Sequence, residues 1–313
     1  MTKANKERKD LSANKEASDR DRLYGRILKG VGGFYYVYTD EGTYQCRAKG
    51  LFRKKSLKPL AGDECIIELT HTDDVEGNVT EIFPRKNALV RPPVANIDQA
   101  LVIFAMHSPD PVWGLLDRFL IMMEREGIPS VICINKDDLA YAGDINDVLN
   151  IYGRSGYRII FTSAKELTGM DELRETLDGK VTSVAGPSGA GKSSIINAIT
   201  GKPLVETGEV SLRLGRGKQT TRHTELIYLW DDTFIFDSPG FSAMELPDME
   251  ENELAGFFPE MSGYIGKCYY SDCTHIHEPD CKIREAVLSK AIPEQRYDSY
   301  VDIYNELHGR RKY

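Results

Sequence analysis

The stretch Val181-Thr182-Ser183-Val184-Ala185-Gly186-Pro187-Ser188-Gly189-Ala190-Gly191-Lys192-Ser193 reads as a strand running straight into a lysine-bearing glycine loop. Ser194 to Ile199 continue with a helical pattern. Strand, loop and helix in that order are the context a phosphate loop requires. Glycines let successive backbone N–H groups turn inward around an anion, and the helix N-terminus adds a favourable partial charge. Lys192 is expected on the β- and γ-phosphates and Ser193 on Mg²⁺. Gly186, Pro187, Ser188, Gly189, Ala190, Gly191 and Ser194 complete the expected cradle. A glycine-rich turn with an incidental lysine would not explain the flanking strand and helix.

The base is named upstream, by Asn135-Lys136-Asp137-Asp138 after the apolar strand Ser130 to Ile134. Guanine offers N1–H and N2–H₂ donors, which an acceptor-only carboxylate such as Asp138 can take together. Adenine would leave that charge unpaired, at a cost of roughly 2–4 kcal/mol. Asn135 is expected to brace neighbouring loops, and the Lys136 stem to pack on the base. Alone the tetrapeptide is also ordinary turn chemistry; beside a phosphate loop it points to GTP and GDP. Ser163-Ala164-Lys165, after the strand ending at Phe161, fits a loop whose backbone N–H approaches guanine O6.

Downstream, Asp237-Ser238-Pro239-Gly240 follows the strand Thr233 to Phe236. Asp237 is expected to reach Mg²⁺ through water and the Gly240 N–H to reach the γ-phosphate. Upstream of Asp237, Gly215 to His223 offers Thr221, with Thr220 as the alternative, as the threonine that ligates Mg²⁺ in the triphosphate state. Phe241 stands where glutamine often positions the attacking water, so Gln219 is the in-chain candidate for that role. In most GTPase chains the phosphate loop comes first; here the base-reading motif precedes it, which implies a P-loop α/β fold with rearranged strand order.

Around this core the pattern changes. Residues 1–20 are polar and charged and read as a disordered tail. From Leu23 to Pro84 five short β-type runs alternate with glycine turns, which suits a small closed barrel such as an OB-fold over 21–86. Six basic residues and no acidic one lie between Arg47 and Lys58. Arg91-Pro92-Pro93 reads as a hinge into a nucleotide domain over 87–250, where apolar strands alternate with helical stripes such as Leu115, Leu116, Phe119, Leu120 and Met123. The segment 251–313 is expected to be mainly helical, its last helix starting at Pro293 and burying Tyr297, Tyr300, Val301, Tyr304 and Leu307. Within it Cys268, Cys273, His275 and Cys281 fall in fourteen residues. Three thiolates and an imidazole form a closed structural zinc set; His277 is the alternative fourth ligand.

The net charge of −8 argues against charge-driven coating of nucleic acid. No apolar run has the length of a membrane span, and the N-terminal residues lack a signal-peptide core. A cytoplasmic monomer without membrane contact is the expectation.

Taken together, the barrel-like segment, Asn-Lys-x-Asp ahead of the phosphate loop, Asp-x-Pro-Gly, and Cys-x₄-Cys-x-His-x₅-Cys resemble the circularly permuted GTPases of bacterial ribosome assembly, more narrowly those acting on the small ribosomal subunit. The resemblance implies an OB-fold touching rRNA, a central GTPase stimulated by the small subunit, and a zinc-binding helical module, with release after hydrolysis. It also implies a catalytic histidine before the switch threonines, where this chain has Gln219. A GTP-binding RNA adaptor with little turnover, and a different permuted assembly GTPase, are the competing functions. A small-molecule kinase would need an acceptor site that the sequence does not offer.

Overall fold

The computed structural model describes residues 21–49, 52, 58–72, 75–90, 93–203, 225–237, 246 and 249–310. Its contacts divide the chain into two compact units. The first takes Met1–Ile97, Gly179–Val181 and Gly217–Asp237; the second takes Asp98–Asp178, Thr182–Arg216 and Ser238–Tyr313.

In the first unit β1 (Arg22–Val31), β2 (Phe34–Thr39), β3 (Gly42–Ala48), β4 (Glu64–Thr72) and β5 (Val75–Ile82) close a barrel in the order β1-β2-β3-β5-β4. Only β3 and β5 pair in parallel, so a five-strand Greek-key barrel results, as an OB-fold requires. Alternate residues point inward. Leu23, Ile27, Val37, Cys46, Cys65, Ile67 and Val79 fill the interior with Phe52. β6 (Ala88–Val90) and β7 (Pro93–Ala95) pair antiparallel, with Pro93 at a strand start where its missing N–H costs nothing. Arg91 and Pro92 lie outside the described residues. The hairpin of β12 (Leu226–Trp230) and β13 (Thr233–Asp237) belongs to this unit too, with Tyr228 stacked on Tyr38 at 4.4 Å.

The sheet of the second unit has its strands in the order β10-β9-β8-β11. Its parallel strands are β8 (Gln99–Ala105), β9 (Ser130–Asn135), β10 (Arg158–Thr162) and β11 (Val181–Ala185). β8, β9 and β11 are buried along their whole length, which is why β8 and β9 carry the apolar runs Ala100–Ala105 and Val131–Ile134, while β11 buries Thr182 and Ser183 between its apolar residues. Between them come α1 (Trp113–Arg125), α2 (Asp144–Tyr152), α3 (Met170–Leu177) and α4 (Lys192–Thr200). The predicted stripe of α1 is buried in full.

Two short 3₁₀ turns (Glu251–Phe257 and Pro259–Met261), α5 (Lys282–Leu288) and α6 (Glu294–Arg310) complete the second unit. α6 departs from the expected face: Arg296, Ser299, Tyr300, Ile303 and Leu307 are buried, while Tyr297, Val301 and Tyr304 are only partly so. Tyrosine hydroxyls need polar partners even where the ring is buried. Tyr297 donates to the His275 carbonyl at 2.7 Å and Tyr300 to that of Thr274 at 2.8 Å.

At the centre of this packing lies Arg296, fully buried. It donates to Asp117 Oδ1 of α1 at 2.5 Å and to Glu260 Oε1 at 2.6 Å. Tyr152 of α2 also donates to Asp117, at 2.8 Å. The guanidinium stacks over Phe258 at 4.7 Å and Tyr152 at 5.4 Å. Burial opposes its charge, but Asp117 and Glu260 more than restore it and hold the guanidinium ionised. No helix among the described residues is long and apolar enough to cross a membrane.

Candidate nucleotide site and metal cluster

The ends of β8, β9, β10 and β11 bring the separate motifs together in the second unit. Gly186 leaves β11 with φ +138, and a Cβ there would lie 2.0 Å from the Ile103 carbonyl of β8. Gly191, with φ +92, heads α4; a Cβ there would meet the Asn135 side-chain nitrogen at 2.2 Å. The loop therefore needs glycine at both points, for backbone shape and for room.

Asn135 is the junction of the site and is almost wholly buried. Its Nδ2 donates to the Ala190 carbonyl at 2.9 Å, in the phosphate loop. Its Oδ1 accepts the Ala164 N–H at 3.2 Å and the Thr162 hydroxyl at 3.3 Å. One side chain thus joins the base-reading loop, the 163–165 loop and the phosphate loop. Thr168 adds a further tie, its hydroxyl accepting the Ser163 N–H at 3.0 Å and donating to Asp137 at 3.1 Å. Sequence reasoning passed over Thr168, a residue type too common in turns to stand out.

Asp138 accepts the Ser163 hydroxyl at 2.7 Å, and the Lys165 ammonium lies 3.6 Å from its other oxygen. The Ser163 hydrogen bond chiefly, then its own backbone N–H and the Lys165 charge, hold this carboxyl below its ordinary range against the effect of burial. Asp138 is therefore an ionised, acceptor-only group at the end of the loop after β9. Lys136 adopts φ +62 and donates from Nζ to the Ser108 carbonyl. Lys192 Nζ donates to the carbonyls of Gly186 at 2.9 Å and Pro187 at 2.8 Å. Ser193 is half-buried in the first turn of α4, and Ser188, Gly189 and Ser194 are exposed. Asp237 ends β13. Gln219, Thr220, Thr221 and Gly240 lie outside the described residues.

The second cluster comprises Cys268, Cys273, His275 and Cys281, whose donor atoms all lie within 4.8 Å of one another. His275 Nδ1 is 3.5 Å from both Cys268 Sγ and Cys281 Sγ, and those sulfurs are 3.9 Å apart. Tetrahedral zinc with ordinary bond lengths requires S···N edges of about 3.6 Å and S···S edges of about 3.8 Å. The donor set fits that ion. Burial pushes the Cys273 thiol up to about 12 and raises Cys281 as well, so thiolates gathered here call for a cation. Burial also lowers His275, keeping its imidazole neutral with a lone pair to give. His277 is exposed and outside the cluster.

Glu278 shapes the cluster's loop. Its carboxylate accepts the Thr274 N–H and hydroxyl at 2.8 and 2.6 Å, and the N–H groups of Ile276 and His277 at 3.2 Å each. Burial works to raise this carboxyl, but those donors prevail and hold it at about 2. All six cysteines are free of disulfides.

Residues 82–247 match the RsgA GTPase family, and residues 24–79 match the RsgA N-terminal domain. The small ribosomal subunit biogenesis GTPase RsgA of Agathobacter rectalis is 48% identical, covering 93% of this chain and 100% of the relative. The protein of that name from Alkaliphilus metalliredigens is 41% identical, with coverages of 92% and 99%. Among solved structures, YjeQ from Thermotoga maritima is similar with TM-score 0.78 and 33% identity, covering 92% of this chain and 99% of that one. YloQ, a circularly permuted GTPase, gives TM-score 0.77 and 33% identity over 95% and 99%.

Proposed function

The chain belongs to the RsgA GTPase family, and from that premise we propose that it binds the small ribosomal subunit late in its assembly and leaves after hydrolysing GTP. The observation that carries the nucleotide half is the three-way tie at Asn135, which sets Asp138 and the phosphate loop in one constellation. On binding, guanine donors replace Ser163 and Lys165 on Asp138, and the phosphates replace two neutral carbonyls on Lys192. At Lys192 the exchange puts an anionic partner in place of neutral carbonyls, and at Asp138 the two guanine donors take both carboxylate oxygens together. Asn135, Lys136, Ser163 and Ala164 position the base, and the run from Gly186 to Ser194 holds the phosphates. Ser193, Thr221 and Asp237 would hold Mg²⁺, which neutralises charge on the β- and γ-oxygens when bound. Gln219 is the residue we assign to the attacking water. Hydrolysis is slow without the small subunit.

Docking to rRNA is assigned to the barrel. A cavity of about 660 Å³ there is lined by Phe34, Tyr35, Arg47, Lys49, Phe52 and Lys58, with the Arg47 guanidinium 4.8 Å from the Phe34 ring. Cationic walls with aromatic faces suit backbone phosphates and unstacked bases. Zinc on Cys268, Cys273, His275 and Cys281 is structural, since four protein donors leave no open position. The protein works in the cytoplasm as a monomer.

Multiple-turnover phosphate release, measured alone and with small subunits, large subunits or free RNA, tests this function. Stimulation by small subunits only is expected. Indifference to small subunits would favour a GTP-binding adaptor instead. Asp138→Ala should abolish the preference for guanine over adenine nucleotides, and retention of that preference would refute the base assignment.

A further inference from the structure

Residues Met106 to Asp110 contain none of the nucleotide motifs, yet they lie between the base loop and the phosphate loop. The Met106 N–H donates to the Asn135 carbonyl at 2.7 Å. Ser108 gives its carbonyl to Lys136 Nζ. Pro109 Cδ lies 3.2 Å from where a Cβ on Gly189 would stand. His107 sits in the middle. Its Nδ1 is 2.8 Å from Asp110 Oδ1 and its Nε2 is 2.8 Å from Asp144 Oδ2.

A neutral imidazole carries one N–H, and an ionised carboxylate only accepts. Engaging a carboxylate at each ring nitrogen therefore requires the imidazolium. Asp144 opens α2 and also accepts the Tyr141 N–H at 2.7 Å, while the Tyr141 ring lies 5.0 Å from the imidazole. Asp110 on its own loop, with Asp144 and Tyr141 at the start of α2, are the titratable groups facing it. Hydrogen bonds to Asp110 first and Asp144 second raise the His107 pKa above its ordinary value. The Tyr141 N–H first, and His107 second, lower that of Asp144.

From this geometry we infer that protonated His107 is a positioning residue for guanine-nucleotide binding, clamping the 106–110 segment to the head of α2 so that Ser108 meets Lys136 and Pro109 backs the phosphate loop. The inference rests on the nucleotide assignment above and adds a residue that no nucleotide motif contains. The clamp is whole below the imidazole's raised midpoint and is lost as pH rises through it.

The test is titration of fluorescently labelled GDP into the full chain from about pH 6 to about pH 8.5, with wild type, His107→Gln and Asp138→Ala. Wild-type affinity should fall roughly two- to fivefold across that range, the worth of an exposed charge-assisted tie. His107→Gln should show the weaker affinity throughout, keeping only the slope of the nucleotide's own titration. Nitrogen NMR of the wild-type ring needs no variant: both nitrogens should stay protonated to a higher pH than those of an ordinary histidine. The midpoint should move further up with GDP, because linkage is reciprocal. Superimposable profiles for wild type and His107→Gln, or a ring that titrates at the ordinary value and ignores GDP, would overturn the proposal. Asp138→Ala keeps the two readings apart: if guanine preference survives it, the nucleotide assignment fails whatever His107 does.

Discussion

Replacing Asn135 separates a bridging role from mere burial. In Asn135→Ala the Ala190 carbonyl and the Ala164 N–H both lose their partner. An unsatisfied buried group costs about 1–3 kcal/mol, so the loops spread in the free protein and nucleotide must reorder them. GDP affinity should fall roughly 10- to 100-fold. Asn135→Asp is nearly the same shape and keeps an acceptor for Ala164. It nevertheless puts an oxygen where Nδ2 now lies 2.9 Å from the Ala190 carbonyl, and it buries a charge in a site 1% exposed. Repulsion replaces attraction there, so aspartate should bind GDP more weakly than alanine. Calorimetry at neutral pH measures the affinities, and melting without nucleotide reports the cost to the free fold. The reasoning fails if Asn135→Ala binds within about twofold of wild type, or if aspartate performs as well as asparagine.

Arg296→Met should lower stability by about 3–5 kcal/mol, because it leaves Asp117 and Glu260 buried and unpaired; a urea midpoint unchanged from wild type would contradict this. Cys268→Ser should lose bound zinc, read by elemental analysis, and should lower the protection of 246–310 in hydrogen exchange. Glu278→Gln keeps all four ligands but turns an acceptor into a partial donor, so zinc should dissociate faster to a chelator; an unchanged rate would deny Glu278 its part in shaping that loop. Gly191→Ala forces a Cβ onto Asn135 at a positive φ and should weaken GDP binding by more than tenfold, about 1.4 kcal/mol or more.

The legible parts of this fold were those with local causes. β8 and β9 showed as apolar runs because both faces are covered, and the Cys₃His spacing showed because its ligands are near neighbours in sequence. α2 was not legible: Ile145 and Leu149 are exposed while Val148 and Tyr152 are buried, so apolar periodicity gave no usable face. Arg296 looked like an ordinary surface charge, since its counterion Asp117 is 179 positions away. His107 also hid in plain view. A histidine three residues before an aspartate is unremarkable until Asp144 arrives from another element.

The Arg296–Asp117 pair also sets an order of events during synthesis. Asp117 emerges with α1, but its cation is made 179 residues later. At translation speeds of about 5–20 residues per second, that carboxylate waits roughly nine to thirty-six seconds for this counterion. Until α6 arrives the nascent nucleotide unit must leave this spot wet or unpacked. Completion of the last helix is then what seals the interior behind α1, and a chain stalled before Arg296 would expose that opening to proteases.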